Sequence, residues 1–317
     1  MSNFLHAKQG WVRALIFFFV GMSAGGIIAT PIETLIEKGY LGGTHTANDS
    51  LLDIFMFFIT NKIGTLLCLW YFRKKVDGLS IYSLGFQWKG FGINALIGIG
   101  VAVGIIGAGT ILLSTGGNLS IKGTIFDPLN FSVSTLLFIF VAFVEEIIVR
   151  GYVLSNLMES MNRWLALFIS AALFSIMHLA NPDITTIAEI NIFVAGILLG
   201  VNYIYTKNLW FAIFFHFSWN FFQGTIIGYH VSGMSIETGL FAIHINGPDE
   251  ITGGSFGFEG SAFALILQII AIIALAMYYE SRYGKRILEA KKLEKVPSPI
   301  QQEEVVEADD EPSTFEE

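Results

Sequence analysis

Val141-Ala-Phe-Val-Glu-Glu-Ile-Ile-Val-Arg-Gly-Tyr152 places three formal charges inside a run otherwise apolar enough for a membrane-spanning helix. A charged side chain at the bilayer centre costs on the order of 2.5–3.5 kcal/mol on insertion scales, so Glu145, Glu146 and Arg150 must face protein or water. Spacing separates the three. Glu146 and Arg150 are i and i+4 with the acid on the N-terminal side, the favourable order for an intrahelical ion pair. Glu145 lies about 100° of helix rotation from Glu146, points away from that pair, and needs a partner on another helix.

Two more polar pairs sit in apolar runs, Phe174 with His178 and His216 with Asn220, each at i, i+4 on one helix face. A carboxylate, two imidazoles and a carboxamide are the parts of a hydrolytic set: a base for water and donors for a developing oxyanion. Lys62, beside Asn61 in the second apolar run, needs a counter-charge or an aqueous path and reads as one half of a structural pair. His6, His45, His230 and His244 fall outside the spans or at their edges and read as surface residues.

The chain has 317 residues, 53% of them hydrophobic and 14% charged, with a mean hydropathy of +0.63. That composition belongs to a polytopic membrane protein. The formal charge is -8, but the last fifteen residues hold eight acids and no base, which leaves 18 acids against 18 bases elsewhere. Nucleic-acid binding has no support in so neutral a body. One cysteine, Cys68, excludes an internal disulfide and every multi-cysteine metal site.

Apolar segments of about spanning length fall near 11–31, 51–72, 91–114, 131–157, 164–180, 186–206, 208–230 and 261–279. The expected fold is an all-α polytopic membrane protein of about eight transmembrane helices around a buried polar cavity. Residues 1–288 form the membrane domain and 289–317 an acidic tail of disorder-like composition. Fourteen Lys and Arg residues, among them Arg73, Lys74, Lys75, Lys89, Arg163 and Lys207, fall on one side of this arrangement against Lys38 and Lys122 on the other. That asymmetry puts both termini in the cytoplasm.

The first run resembles a signal peptide in its basic start and small residues at Ser23-Ala-Gly-Gly26, but is long for one and is expected to stay as a helix. Gly21 with Gly25, Gly100 with Gly104 and Gly196 with Gly200 have the G-x-x-x-G spacing of closely packed helices. The basic connector from Arg73 to Gly90 suits the headgroup region. The connection near 231–260, glycine-rich, acidic and without Lys or Arg, suits an exposed loop or partial lid.

A helical hairpin turning at Met161-Asn162 puts Glu145 and His178 at equal depth, each about 24 Å along its helix at 1.5 Å per residue. His216 lies about 12 Å beyond Asn208 by the same measure. These depths place a site in the middle to cytoplasmic half of the membrane. The next turn, near Pro182-Asp183, sets Glu189 level with His178, either to accept its second ring proton or to face the headgroups.

Glu145-Glu146-x-x-x-Arg150, Phe174-x-x-x-His178 and His216-x-x-x-Asn220, in that order on successive helices, resemble the CAAX protease and bacteriocin-processing (CPBP, or Abi) family of intramembrane proteases. Gly151, and Tyr205-Thr-x-x-Leu209-Trp210 before the last motif, add to a resemblance covering about 131–225. The resemblance implies Glu145 as general base with His178 holding the water, and His216 and Asn220 as oxyanion donors. Glu146, Arg150 and Phe174 would then be structural supports. It leaves the cofactor open between none and zinc, for which Glu145, His178 and His216 would be the ligands, although no H-E-x-x-H is present. The implied partners are the lipid bilayer and a membrane-associated protein or peptide substrate; with no recognisable organelle address in the sequence, the expected location is a prokaryotic plasma membrane. The alternatives are a transporter relaying protons through Glu145, His178 and Glu189, and a non-catalytic scaffold or bacteriocin self-immunity protein.

Overall fold

The computed structural model describes residues 9–37, 51–235 and 239–294. His6, Lys38, His45 and the tail beyond Glu294 lie outside them. Eight α-helices of eleven residues or more order the described chain, besides three shorter ones: α1 Gly10–Glu37, α2 Leu51–Tyr71, α3 Gly92–Thr115, α4 Pro128–Glu146, α5 Arg163–Ile176, α6 Thr186–Val201, α7 Trp210–Asn220 and α8 Ala262–Glu294. The last helix runs through the expected boundary at 288.

Capping fixes several of the starts. Asp127 accepts from Leu129 N and Asn130 N ahead of Pro128, Asn162 accepts from Leu165 N, and Thr185 accepts from Ala188 N. The cap at Asn162 makes the hairpin turn where the sequence puts it.

Among the described residues, six helices are long and apolar enough to cross a membrane: Gly10–Pro31, Phe55–Val76, Gly92–Thr115, Pro128–Ser160, Thr186–Thr206 and Ala262–Lys285. The expected spans at 164–180 and 208–230 come out shorter, with 14 residues in α5 and 11 in α7. α5 stops because the chain tightens after Ile176, where His178 N bonds Ser175 O and Leu179 N bonds Ile176 O. α7 gives way to a π-helical stretch, Phe221–Ile227, that closes on Gly228 at φ 96°. Large apolar side chains such as Phe19, Leu96, Ile111 and Met277 cover the outside, a surface suited to lipid rather than water.

The chain runs alternately between two ends. One carries the turns at 71–92, 155–163 and 202–210, tied by Arg13 to Asp77 at 3.3 Å, Tyr203 OH to Leu84 O at 2.9 Å and Asn208 Nδ2 to Gln87 O at 2.7 Å. It is the basic end. Arg73 there is buried against Asp77, Ser80 and Ser83 rather than splayed at headgroups.

The opposite end carries a two-stranded antiparallel ribbon, β1 Leu119–Thr124 and β2 Phe241–Ile245, with Leu119 opposite Ile245. This ribbon departs from the all-α expectation. Its strands have 6 and 5 residues and pair across more than a hundred positions, so no local pattern announces them. In the connection near 231–260, Phe256 and Phe258 are buried and Gly233 N bonds Phe256 O, while His244 and residues 246–251 are exposed.

Glycine spacing divides. A Cβ at Gly25 would lie 2.5 Å from Asn61 O and one at Gly196 2.8 Å from Ala171 Cα, so both mark backbone contacts. Gly100 and Gly104 meet nothing within 4 Å and are not packing positions. On α3 that role falls to Gly98, where a Cβ would lie 2.5 Å from Phe211 O of α7.

Candidate active site

Glu145 and Glu146 end the α-helical part of α4, and the chain continues as a fully buried π-helical stretch, Ile147–Leu154, into Ser155–Ser160. Such wider windings recur at functional sites. A second one begins directly after Asn220. Two of the three motif helices thus change winding directly after a motif residue, α4 after Glu146 and α7 after Asn220.

The two glutamates face different partners, as their one-residue offset requires. Glu146 Oε1 accepts from Arg150 Nη1 at 2.9 Å and from His216 Nδ1 at 2.8 Å. The second bond was not legible in the sequence. Because the carboxylate can only accept, His216 donates through Nδ1 and keeps Nε2 for other work. Arg150 also donates to Gly196 O at 3.0 Å and lies 4.4 Å from the centroid of Phe174.

Phe174 joins the motifs. Its ring centroid is 4.6 Å from that of His178 and 6.3 Å from that of His216, and its carbonyl accepts from His178 Nδ1 at 2.8 Å. That carbonyl lacks its usual i+4 donor because His178 N turns to Ser175 O. The ring nitrogen supplies the bond instead, and His178 sits in the turn after α5, not within it. Glu189 is exposed and has no part in this, so it does not hold the second ring proton of His178 and the relay Glu145–His178–Glu189 lacks its third member.

Glu145 is 5% exposed. Its Oε1 lies 3.7 Å from Lys62 Nζ on α2, and its Oε2 lies 3.9 Å from His178 Nε2. Oε2 is buried without a hydrogen-bond partner among the described residues. Lys62 therefore finds its counter-charge in the leftover glutamate, a pairing across helices that neither apolar run could reveal alone. At 3.9 Å the two side chains are beyond direct hydrogen bonding and near the reach of one bridging water.

Lys62, Glu145, His178, His216 and Asn220 line one recess of about 740 Å³. His178, His216 and Asn220 also line a second, of about 450 Å³, where Asn191, Gln268 and Glu259 join them. Glu259 accepts from the Ser232 amide and hydroxyl and from Trp219 Nε1, pinning the 258–260 turn over α7. These residues escaped the sequence reading, although Asn191 and Gln268 each carried a signal as a polar residue inside an apolar run.

Both recesses draw their remaining polar lining from the ribbon end: Asn181, Ser232 and Glu259. The recesses are therefore lined at one end by connections opposite Met161-Asn162.

Among the described residues no three His, Cys, Asp or Glu side chains are grouped to hold a metal ion. The Lys62 ammonium stands beside Glu145 where a divalent cation would have to approach. The set does not fit zinc as it stands.

Residues 127–222 match the family model described as type II CAAX prenyl endopeptidase Rce1-like. No curated protein and no solved structure matches the chain. The matched segment runs from the cap of α4 to two residues past Asn220 and so holds all three motifs, while Lys62 lies outside it. Over residues 127–222 this chain is similar to the CAAX protease and bacteriocin-processing family of intramembrane proteases.

Proposed function

We propose that the protein is an intramembrane endopeptidase that hydrolyses a peptide bond of a membrane-associated protein or peptide. The observation that carries this reading is the buried, unpartnered Glu145 Oε2 facing His178 Nε2 at 3.9 Å in a recess shared with His216 and Asn220. Water held between the two gives one proton to Glu145 and directs its other hydrogen to the Nε2 lone pair, which is available because Nδ1–H is committed to Phe174 O. The oxygen attacks the scissile carbonyl carbon and a tetrahedral oxyanion forms. His216 and Asn220 donate to that oxyanion, and Glu146 balances the doubly protonated imidazole that such donation requires. Glu145 then returns the proton to the leaving amine as the C–N bond breaks.

Lys62 sets its positive charge 3.7 Å from Oε1, leaving Oε2 for water. No step runs through a metal ion. α5 and α7 complete an eight-crossing bundle as short inner helices, with the basic end and both termini in the cytoplasm. Residues 1–288 act as the membrane domain, and 289–317 as its cytoplasmic extension.

The test is reconstitution in liposomes with solubilised membrane proteins. Wild type generates new termini, and Asn220→Ala generates the same termini about 10²–10³ more slowly, the usual effect of losing one oxyanion donor. Equal rates would remove Asn220 from the mechanism.

A further inference from the structure

We propose that the site is served from the ribbon end, on the non-cytoplasmic side. Its substrate is then a membrane-inserted polypeptide cut in a segment at that face, not the cytoplasmic C-terminus of a lipidated protein. The proposal rests on the peptidase reading above and adds a side and a substrate class to it.

Three independent observations converge. The recesses around Glu145 are lined at one end by Asn181, Pro182, Val231, Ser232 and Met234, all from ribbon-end connections, and by no residue from the turns at 71–92, 155–163 or 202–210. The way to the basic end is filled: Phe17, Phe72 and Tyr152 pack with centroids 4.4–6.2 Å apart, and these three and Leu84 are at most 7% exposed. Below that plug Arg13 and Arg73 converge on Asp77, which Tyr152 OH also meets. A peptide reaching Glu145 from that side would have to break a packed aromatic cluster and an ion-pair network; from the ribbon end it meets neither.

Charge then says which side is which. Arg73, Lys74, Lys75, Lys89, Lys207 and Lys285 are at the filled end, whereas Lys122 is the only lysine or arginine in the described connections of the open end. Cytoplasmic connections carry the lysine and arginine excess, so the open end faces away from the cytoplasm. The lip of the larger recess includes Met22 of α1, Phe58 of α2, and Leu137 and Val141 of α4. An apolar lip between helices admits a segment that is still partly in lipid, which is how a membrane-inserted chain would present a peptide bond near its outer boundary.

The test is cysteine accessibility in a Cys68→Ala background, expressed in a bacterial host and probed on intact spheroplasts with a membrane-impermeant maleimide. Met234→Cys and Asn181→Cys report the recess, Ser255→Cys the exposed ribbon end, and Lys75→Cys the basic end. The expected result is that the first three label as fully in intact spheroplasts as after permeabilisation, while Lys75→Cys labels only after permeabilisation. The reverse pattern overturns the proposal. So does labelling of Ser255→Cys alone, which would mean that the recess does not open to that face. Two recess variants guard against one that fails to fold. Labelling does not depend on turnover, so a protein labelled as expected that generates no new termini would sink the peptidase reading and leave the topology standing.

Discussion

His216 Nδ1 donates to Glu146 Oε1 at 2.8 Å, and Glu146 is the same residue that holds Arg150. One carboxylate thus links the oxyanion side of the site to the ion pair visible in the sequence, and it positions rather than reacts. Replacing it should do two things at once. Glu146→Gln leaves Arg150 buried without its counter-charge, an error worth about 3–5 kcal/mol of stability, and removes the carboxylate that holds the His216 ring. Glu146→Gln with Arg150→Met should regain thermal stability but not turnover. Recovery of both would show that Glu146 serves only the fold.

Lys62 and Glu145 form the only link between the first motif and a helix outside the matched segment that an ion pair supplies among the described residues. Lys62→Met should lower the melting temperature and turnover together. Adding Glu145→Gln should restore the melting temperature toward wild type, because the buried acid no longer lacks a cation, while turnover stays absent. If the double variant is less stable than Lys62→Met, the pair does not couple as the geometry states.

Phe174 carries three contacts through one ring. Phe174→Leu removes the face under Arg150, worth about 0.5–2 kcal/mol as a cation–π contact, and frees the His178 ring while leaving the backbone acceptor of its Nδ1–H in place. The expected outcome is a folded protein with a modestly lowered melting temperature and a fall in kcat larger than any change in KM. An unchanged kcat would reduce Phe174 to packing.

Gly196 and Gly100 share a spacing motif but not an environment. Gly196→Ala puts a Cβ 2.8 Å from Ala171 Cα and displaces the carbonyl that Arg150 uses, so it should cost on the order of 1–3 kcal/mol. Gly100→Ala meets nothing and should be neutral or slightly stabilising. Thermal melts in one detergent would separate them, and equal losses would contradict the packing described.

Dialysis of the purified protein against a strong chelator should leave turnover unchanged, with elemental analysis well below one zinc per chain. Activity lost on dialysis and restored by zinc would require Glu145 to exchange Lys62 for a metal.

What the sequence reveals here follows from where information is local. The intrahelical pair Glu146–Arg150, the turn at Asn162 and the inward direction of Glu145, His178 and His216 all follow from spacing within one segment. Contacts between segments do not: Lys62 could announce a need for an anion but not which one, and the His216–Glu146 bond joins positions 70 residues apart. The β1–β2 ribbon and the Glu259 clamp lie in stretches whose composition reads as loop, because their order comes from tertiary pairing. The inner helices α5 and α7 look longer in sequence than they are, since apolar residues continue through the tightened turn after Ile176 and the π-helical stretch after Asn220.

The most direct measurement compares peptide termini in membranes carrying wild-type protein with those carrying an equal folded amount of Glu145→Gln. The account predicts termini present only with wild type, absent again with His216→Ala, and located in membrane-inserted proteins. Identical termini in all three membranes, from a protein shown to be folded and present, would contradict it.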